Sequence, residues 1–286
     1  MRVLALHPDV LVATSAIWQT NCVVMRAPTD AHRGEALGGT PDREGGHETF
    51  VVDSPVLPDE LDALPTLLEQ AGFAVPSGLL ATHGDWDHLL GPLAFAGVAL
   101  GCAQSTAERL RAAPGTAQRE LRAFDEQYLI ERPRPLALGA IQALPVPGRC
   151  GLGEQELELH PAEGHTEDGM ALWVPWARVL VAGDYLSSVE IPTLGDPSAA
   201  PSHTGSPLQD YLATLERLRP LAEAAEHVVP GHGPVLDSAG ALAILDEDLV
   251  YLHALAEHGV KAEIPPGRRT AFQRGLHIEN AAHVAI

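Results

Sequence analysis

The chain has 286 residues, 45% of them hydrophobic, which is enough to bury a sizeable core and too apolar for wholesale disorder. With 18 basic against 38 acidic side chains its formal charge is −20, so no nucleic-acid partner is expected, because a phosphate backbone wants a basic face. A small anionic substrate stays admissible, since the charge inside a site can differ from the global sum.

In chain order, residues 10–15 and 22–26 read as β-rich runs. Residues 27–47 are polar and rich in Gly, Thr, Asp and Arg, as an exposed excursion between strands would be, and 49–53 resume the sheet. Residues 58–72 predict a helix opened by Pro58 and Asp59 and stopped by Gly72, with Pro65 predicting a kink or a late start. A short apolar strand at 79–82 runs straight into His83-Gly84-Asp85-Trp86-Asp87-His88. Ser105 and Glu108 fit a capping box ahead of a short helix, and 118–131 predict another helix stopped by Pro133 and Pro135. Strand-like runs follow at 141–146, 156–160, 170–174 and 179–182. Then come a helix at 207–218 capped by Ser206, a strand at 227–229 and a long helix at 238–258. No linker divides the strand-rich halves. The pattern predicts a single domain over 1–286 of the α/β class, two mixed sheets packed together with helices outside.

Three cysteines, Cys22, Cys102 and Cys150, are scattered and odd in number, which argues against a disulfide framework or a thiolate zinc site. The early apolar stretch Val3 to Leu6 is cut by His7-Pro8-Asp9, shorter than a signal-peptide core, and no uncharged apolar run approaches a membrane span. The expectation is a soluble, cytoplasmic protein with no membrane partner; its oligomeric state is not legible.

Four potential metal ligands, His83, Asp85, Asp87 and His88, stand within six positions directly after an apolar strand. In extended backbone His83, Asp85 and Asp87 would share one side, while His88 could join Asp87 on a second centre where the loop turns. Gly84 lets the backbone close around an ion. The competing reading is a hydrophilic turn whose histidines cluster by chance. Three further candidates repeat the strand-end setting: His165 in Glu-Gly-His-Thr, Asp184 in Ala-Gly-Asp, and His232 in Pro-Gly-His-Gly. Singly each is an ordinary turn or cap residue; after a dense ligand cluster they are not independent accidents.

These residues resemble the metallo-β-lactamase superfamily, whose signature is His-x-His-x-Asp-His followed by a lone His, a bridging Asp and a final His. The resemblance covers residues 10 to about 235, in the family's motif order. It implies an αββα four-layer sandwich, a first metal on His83, Asp85 and His165, a second on Asp87, His88 and His232, and Asp184 bridging them. Asp53 resembles the supporting strand-end Asp upstream of the motif. Asp85 stands where the family usually has its second His. A carboxylate still binds zinc, but it hardens the site toward iron or manganese, so two divalent ions are expected, with zinc favoured.

The expected activity is hydrolysis of a small ester, thioester, lactone or amide by a bridging hydroxide, with Asp87 orienting the nucleophile and shuttling its proton. The alternative is an iron-dependent oxygenase or oxidoreductase of the same fold. No G-x-S-x-G motif offers a serine nucleophile. Weaker candidates are Trp86 and Tyr185 as pocket walls or as loop wedges, and His203 in a covering loop or simply on the surface. Arg268 and Arg269 could hold a substrate carboxylate or be a solvated pair. His160, His227, His253, His258 and His277 have no ligand-like setting, and the partner expected is a small molecule.

Overall fold

The computed structural model describes residues 1–29, 46–195 and 206–284. Its first sheet has seven strands in the order β1 (Arg2–His7), β2 (Val10–Thr14), β3 (Asn21–Pro28), β4 (His47–Val52), β5 (Gly78–Leu80), β6 (Leu100–Ala103) and β7 (Ile141–Leu144). Strands β1 to β4 pair antiparallel and β4 to β7 parallel. The second sheet runs β12 (His227–Pro230), β11 (Val179–Gly183), β10 (Met170–Val174), β9 (Gln155–Pro161) and β8 (Gly148–Leu152), with only β11 and β12 parallel.

Side-chain alternation makes the layers. On β3, Val23 and Met25 point between the sheets, where Leu157, Leu159, Leu172, Val179 and Val181 of the second sheet meet them. Cys22 and Val24 point the other way, onto helices α1 (Pro58–Gln70), α3 (Gln104–Ala112) and α4 (Thr116–Tyr128). In the second sheet Leu180 and Ala182 face α5 (Pro207–Ala224) and α6 (Ser238–His258). A sheet buried on both faces reads as an unbroken apolar run, which is why Val10 to Ala13 and Val179 to Ala182 show no polar alternation. The result is the expected four-layer α/β/β/α arrangement. A short helix α2 (Gly91–Ala94) and a C-terminal helix α7 (Ala271–Val284) complete it.

Several local expectations shift. The apolar stretch after Arg2 is an edge strand, with Val3 and Leu4 half exposed, so it lacks the burial pattern that marks a strand in sequence. Helix α3 starts at Gln104 with Ala103 at its N-cap and no side-chain cap bond, so the Ser105 capping box is not used. Helix α1 runs through Pro65, and α5 extends past 218 through Pro220. The Ser206 cap holds: its side chain accepts from Gln209 N–H at 3.2 Å. Strands β6 and β8 and helix α7 had no clear signal; α7 carries Gly275 and three polar buried residues, Gln273, His277 and Asn280, which blur its apolar face. Most of the polar excursion at 27–47 lies outside the described residues.

Candidate metal centre

Strand β5 delivers residues 81–88 to the end of the first sheet, and β9, β11 and β12 deliver the other candidates from the second. His83 and Asp85 follow β5 through a bent segment, 82–85, and still come together on one side. At 86–88 the chain tightens into a 3₁₀ turn. That turn breaks the alternation: Asp87 leaves the side of His83 and Asp85 and sits with His88.

Seven side chains converge. Asp85 Oδ2 lies 3.7 Å from His83 Nε2 and 3.6 Å from His165 Nε2. Asp87 Oδ2 lies 3.6 Å from His88 Nε2 and 3.3 Å from His232 Nε2. Asp184 stands between the groups, with Oδ1 3.2 Å from His88 Nε2 and Oδ2 3.3 Å from His165 Nε2 and 3.4 Å from His232 Nε2. Gly231 makes this approach possible, because a Cβ there would collide with the Asp184 carboxylate.

The outer ring nitrogens are held by the fold. His165 Nδ1 is 3.2 Å from the Thr193 carbonyl and His232 Nδ1 3.2 Å from the Trp18 carbonyl. A carbonyl only accepts, so each Nδ1 carries a proton and each Nε2 faces inward, where a bound metal ion would take its lone pair. His88 Nδ1 lies 3.0 Å from Asp53 Oδ2. Asp53 itself accepts from Thr82 N–H at 2.8 Å and from the Thr82 hydroxyl at 2.9 Å. It holds this place in the left-handed region at φ 57°, which Asp tolerates better than most residues.

Electrostatics inside the cluster are one-sided. Burial alone would depress the imidazoles, yet Asp184, Asp87 and Asp53 raise His88 well above its usual range, and Asp184 does the same for His232. Burial likewise opposes the shift at His165, where the Asp184 and Asp85 carboxylates lift the ring to about 10. Burial would raise Asp184 and Asp85, but the surrounding histidines hold both carboxyls well below the carboxylate range. Even so, His83 Nε2, His88 Nε2, His165 Nε2 and Asp184 Oδ1 are buried without a hydrogen-bond partner. Buried polar atoms are rarely orphaned, and four aimed at one another call for a cation. Imidazole nitrogens and carboxylate oxygens are the donor set of a zinc, iron or manganese site, so these residues fit divalent metal ions.

The profile of the Metallo-beta-lactamase superfamily matches residues 44–232, somewhat less than the span of the sequence resemblance. The chain belongs to that superfamily. Its members are typically metal-dependent hydrolases. A "Metallo-beta-lactamase type 2" from Bacillus sp. (strain 170) is 31% identical over 87 residues, 30% of this chain and 32% of that protein. A "Beta-lactamase-like protein 2 homolog" from Caenorhabditis elegans is 32% identical over 81 residues, 28% of this chain and 23% of that one. The chain thus matches a third or less of each of these two relatives. Among solved structures, a metallo-beta-lactamase family protein from Thermus thermophilus superposes with a TM-score of 0.63 at 19% identity, covering 98% of this chain and 92% of that one. A stereoselective inverting sec-alkylsulfatase from Pseudomonas sp. gives 0.70 at 10% identity, over 99% of this chain and 49% of the other. At such identities these two likenesses concern the fold alone.

In this superfamily member, the weaker candidates resolve physically. Trp86 packs on Phe124 at 4.7 Å and Trp18 at 5.6 Å between ring centroids, which braces the ligand loop, while Tyr185 both accepts from His165 N–H at 3.1 Å and lines a small cavity beside His83, His165 and Asp184. Arg268 is a correction: it is 1% exposed, neither solvated nor open to a substrate carboxylate. It pairs with buried Asp248 at 2.5 Å and donates to the carbonyls of Ser187 and Glu190, pinning the loop after β11. Arg269 is exposed and donates to the Ile264 carbonyl. His277 is buried against Tyr251, while His253 and His258 are exposed and His160 and His227 half-buried. His203 lies outside the described residues.

Two residues went unnoticed in the sequence. Glu190 brings its carboxylate to Asp184 and His232, and Arg109 donates to Asp85. Burial pushes the Glu190 carboxyl up, with His232 pulling the other way. Neither stands in a motif, and no local spacing could have found them.

Proposed function

We propose that this chain is a dinuclear metal-dependent hydrolase acting on a small ester, thioester, lactone or amide. The observation that carries the reading is that three buried, unpartnered imidazole nitrogens and one unpartnered carboxylate oxygen fall within adjoining groups of metal-ligating side chains that share His83, His88, His232 and Asp184. His83, Asp85 and His165 would hold one ion, Asp87, His88 and His232 the other, and Asp184 would touch both. Divalent ions bound there supply Lewis acidity toward a carbonyl oxygen and bring the pKa of a water close to neutrality.

The protein's own part is to orient and to move a proton. Thr193, Trp18 and Asp53 keep the imidazoles in one orientation, so the donor set needs little rearrangement. Asp87, buried beside His88 and His232, is placed to orient the attacking water and accept its proton. The Asp85 carboxylate favours zinc less strongly than a third imidazole would. It motivates a second reading, an iron-dependent oxygenase or oxidoreductase on the same scaffold.

A small-molecule substrate fits a protein of charge −20 better than a nucleic acid does. The three cysteines are free, two of them buried, which suits a reducing cytoplasm, and residues 1–286 are taken as one domain. No helix among the described residues is long and apolar enough to cross a membrane. The test is anaerobic purification with elemental analysis, then a panel of esters, thioesters, lactones and β-lactams. Close to two ions per chain with metal-dependent turnover on the panel is the expected result. Protein that takes up no transition metal would sink the proposal, and iron with oxygen consumption would favour the second reading.

A further inference from the structure

Arg109 leaves helix α3 and crosses Gly84 to reach the ligand loop. Its Nη2 donates to Asp85 Oδ1 at 2.8 Å, and its Nη1 to Asp168 Oδ1 at 2.7 Å. Asp168 is fully buried, so the far end of the fork is fixed in the protein rather than in solvent. A Cβ on Gly84 would come within 3.2 Å of both Arg109 Nη1 and Asp168 Oδ2, so the glycine of the His-Gly-Asp run is the gap through which the guanidinium passes. With Oδ1 taken, Asp85 turns only Oδ2 toward His83 Nε2 and His165 Nε2.

This arrangement answers a problem peculiar to a carboxylate at position 85. An imidazole presents one donor atom on a rigid ring. A carboxylate has two equivalent oxygens and rotates, and Asp85 is about a third exposed, so packing does not fix it. A planar guanidinium can occupy one oxygen and hold the carboxylate's plane, which a point-charge ammonium cannot do as well.

We infer that Arg109 is the positioning residue that makes Asp85 usable as a one-oxygen metal ligand, Asp168 being its anchor. The inference rests on the proposed role of His83, Asp85 and His165 as one metal site. It carries a sign that separates it from simple electrostatics. Removing a cation beside a bound divalent ion should tighten that ion on charge grounds alone. Loss of an outer partner that orients a ligand should loosen it, typically 10–100-fold.

The experiment is competition of zinc between the protein and a chromophoric chelator. It is run on wild type, Arg109→Gln, Arg109→Lys, Asp85→His and the Asp85→His/Arg109→Gln pair, with thermal melting to check folding. In the Asp85 background both Arg109 variants should weaken one of the two zinc ions by about 10–100-fold and leave the other within about threefold. In the Asp85→His background Arg109→Gln should change neither ion by more than about threefold, because a ring nitrogen needs no such clamp. Equal loosening in both backgrounds would reveal a merely structural arginine and overturn the inference. So would tighter zinc binding in Arg109→Gln, or wild-type affinity in Arg109→Lys. Wild-type protein that binds no zinc would instead defeat the metal-site reading itself.

Discussion

Replacing Arg268 by Met removes a guanidinium that is 1% exposed and leaves Asp248, equally buried, without its partner. Breaking a buried ion pair from one side costs about 3–5 kcal/mol where the carboxyl is ionised, since the survivor must stay desolvated or take up a proton. The exposed end of the interaction, Glu247 at 3.2 Å, adds little, because that carboxylate is half in water. At roughly 2–4 °C per kcal/mol for a chain of this size, the melting temperature should fall by about 6–20 °C. The pH dependence has a definite sign. Burial pushes the Asp248 carboxyl up to about 7, with Arg268 pulling it down. A carboxyl raised on folding withdraws stability as pH climbs from its unfolded value, about 3.9, to its folded one. Without Arg268 the folded value rises further and the window extends past neutrality, so the variant's deficit should be larger at pH 8 than at pH 5. Adding Asp248→Leu should recover at least half of the loss, because an apolar pair of similar volume carries no buried charge. Calorimetry of the three proteins at the two pH values is the assay. A fall below about 3 °C, or a deficit that shrinks as pH rises, would contradict this account of the pair. The same variant frees the carbonyls of Ser187 and Glu190, so the Glu190 carboxylate should drift from His232 and metal affinity should fall with stability.

Asp184→Asn, at the residue between both groups, should weaken both metal ions and abolish nearly all turnover; full occupancy at wild-type rate would rule out a bridging role. Asp53→Asn tolerates the left-handed backbone but removes the charge beside His88, and should lower affinity for one ion about 10–100-fold without unfolding the chain, as read by chelator competition. Asp85→His should bind zinc in preference to iron or manganese and move the acidic limb of the pH–rate curve downward; superimposable metal titrations and pH curves would show that Asp85 is no ligand. At physiological salt no shift of transfer RNA or duplex DNA is expected on a gel with a protein of charge −20, and a salt-dependent shift at sub-micromolar protein would revive a nuclease role.

Residue type and local pattern were enough to say which side chains could bind metal and that each stands at a strand end. Both facts are local: ligand chemistry is written in residue type, and a short apolar run ending in Gly-His or Gly-Asp marks its own boundary. The layer order was legible for a similar reason, since doubly buried strands and amphipathic helices carry their burial in their periodicity. Other features depend on contacts between distant segments and emerge only once the chain is folded. Asp87 parts from His83 and Asp85 because residues 86–88 wind into a 3₁₀ turn that alternation does not foresee. Arg109 reaches Asp85 across 24 residues, and Arg268 reaches the Ser187 and Glu190 carbonyls across 81 and 78. An arginine on a polar helix face or after a proline-rich turn looks solvated in sequence, and its burial follows from which carboxylates the fold brings to meet it. A charge enters the interior only where a partner waits, and that partner's position is a property of the assembled chain.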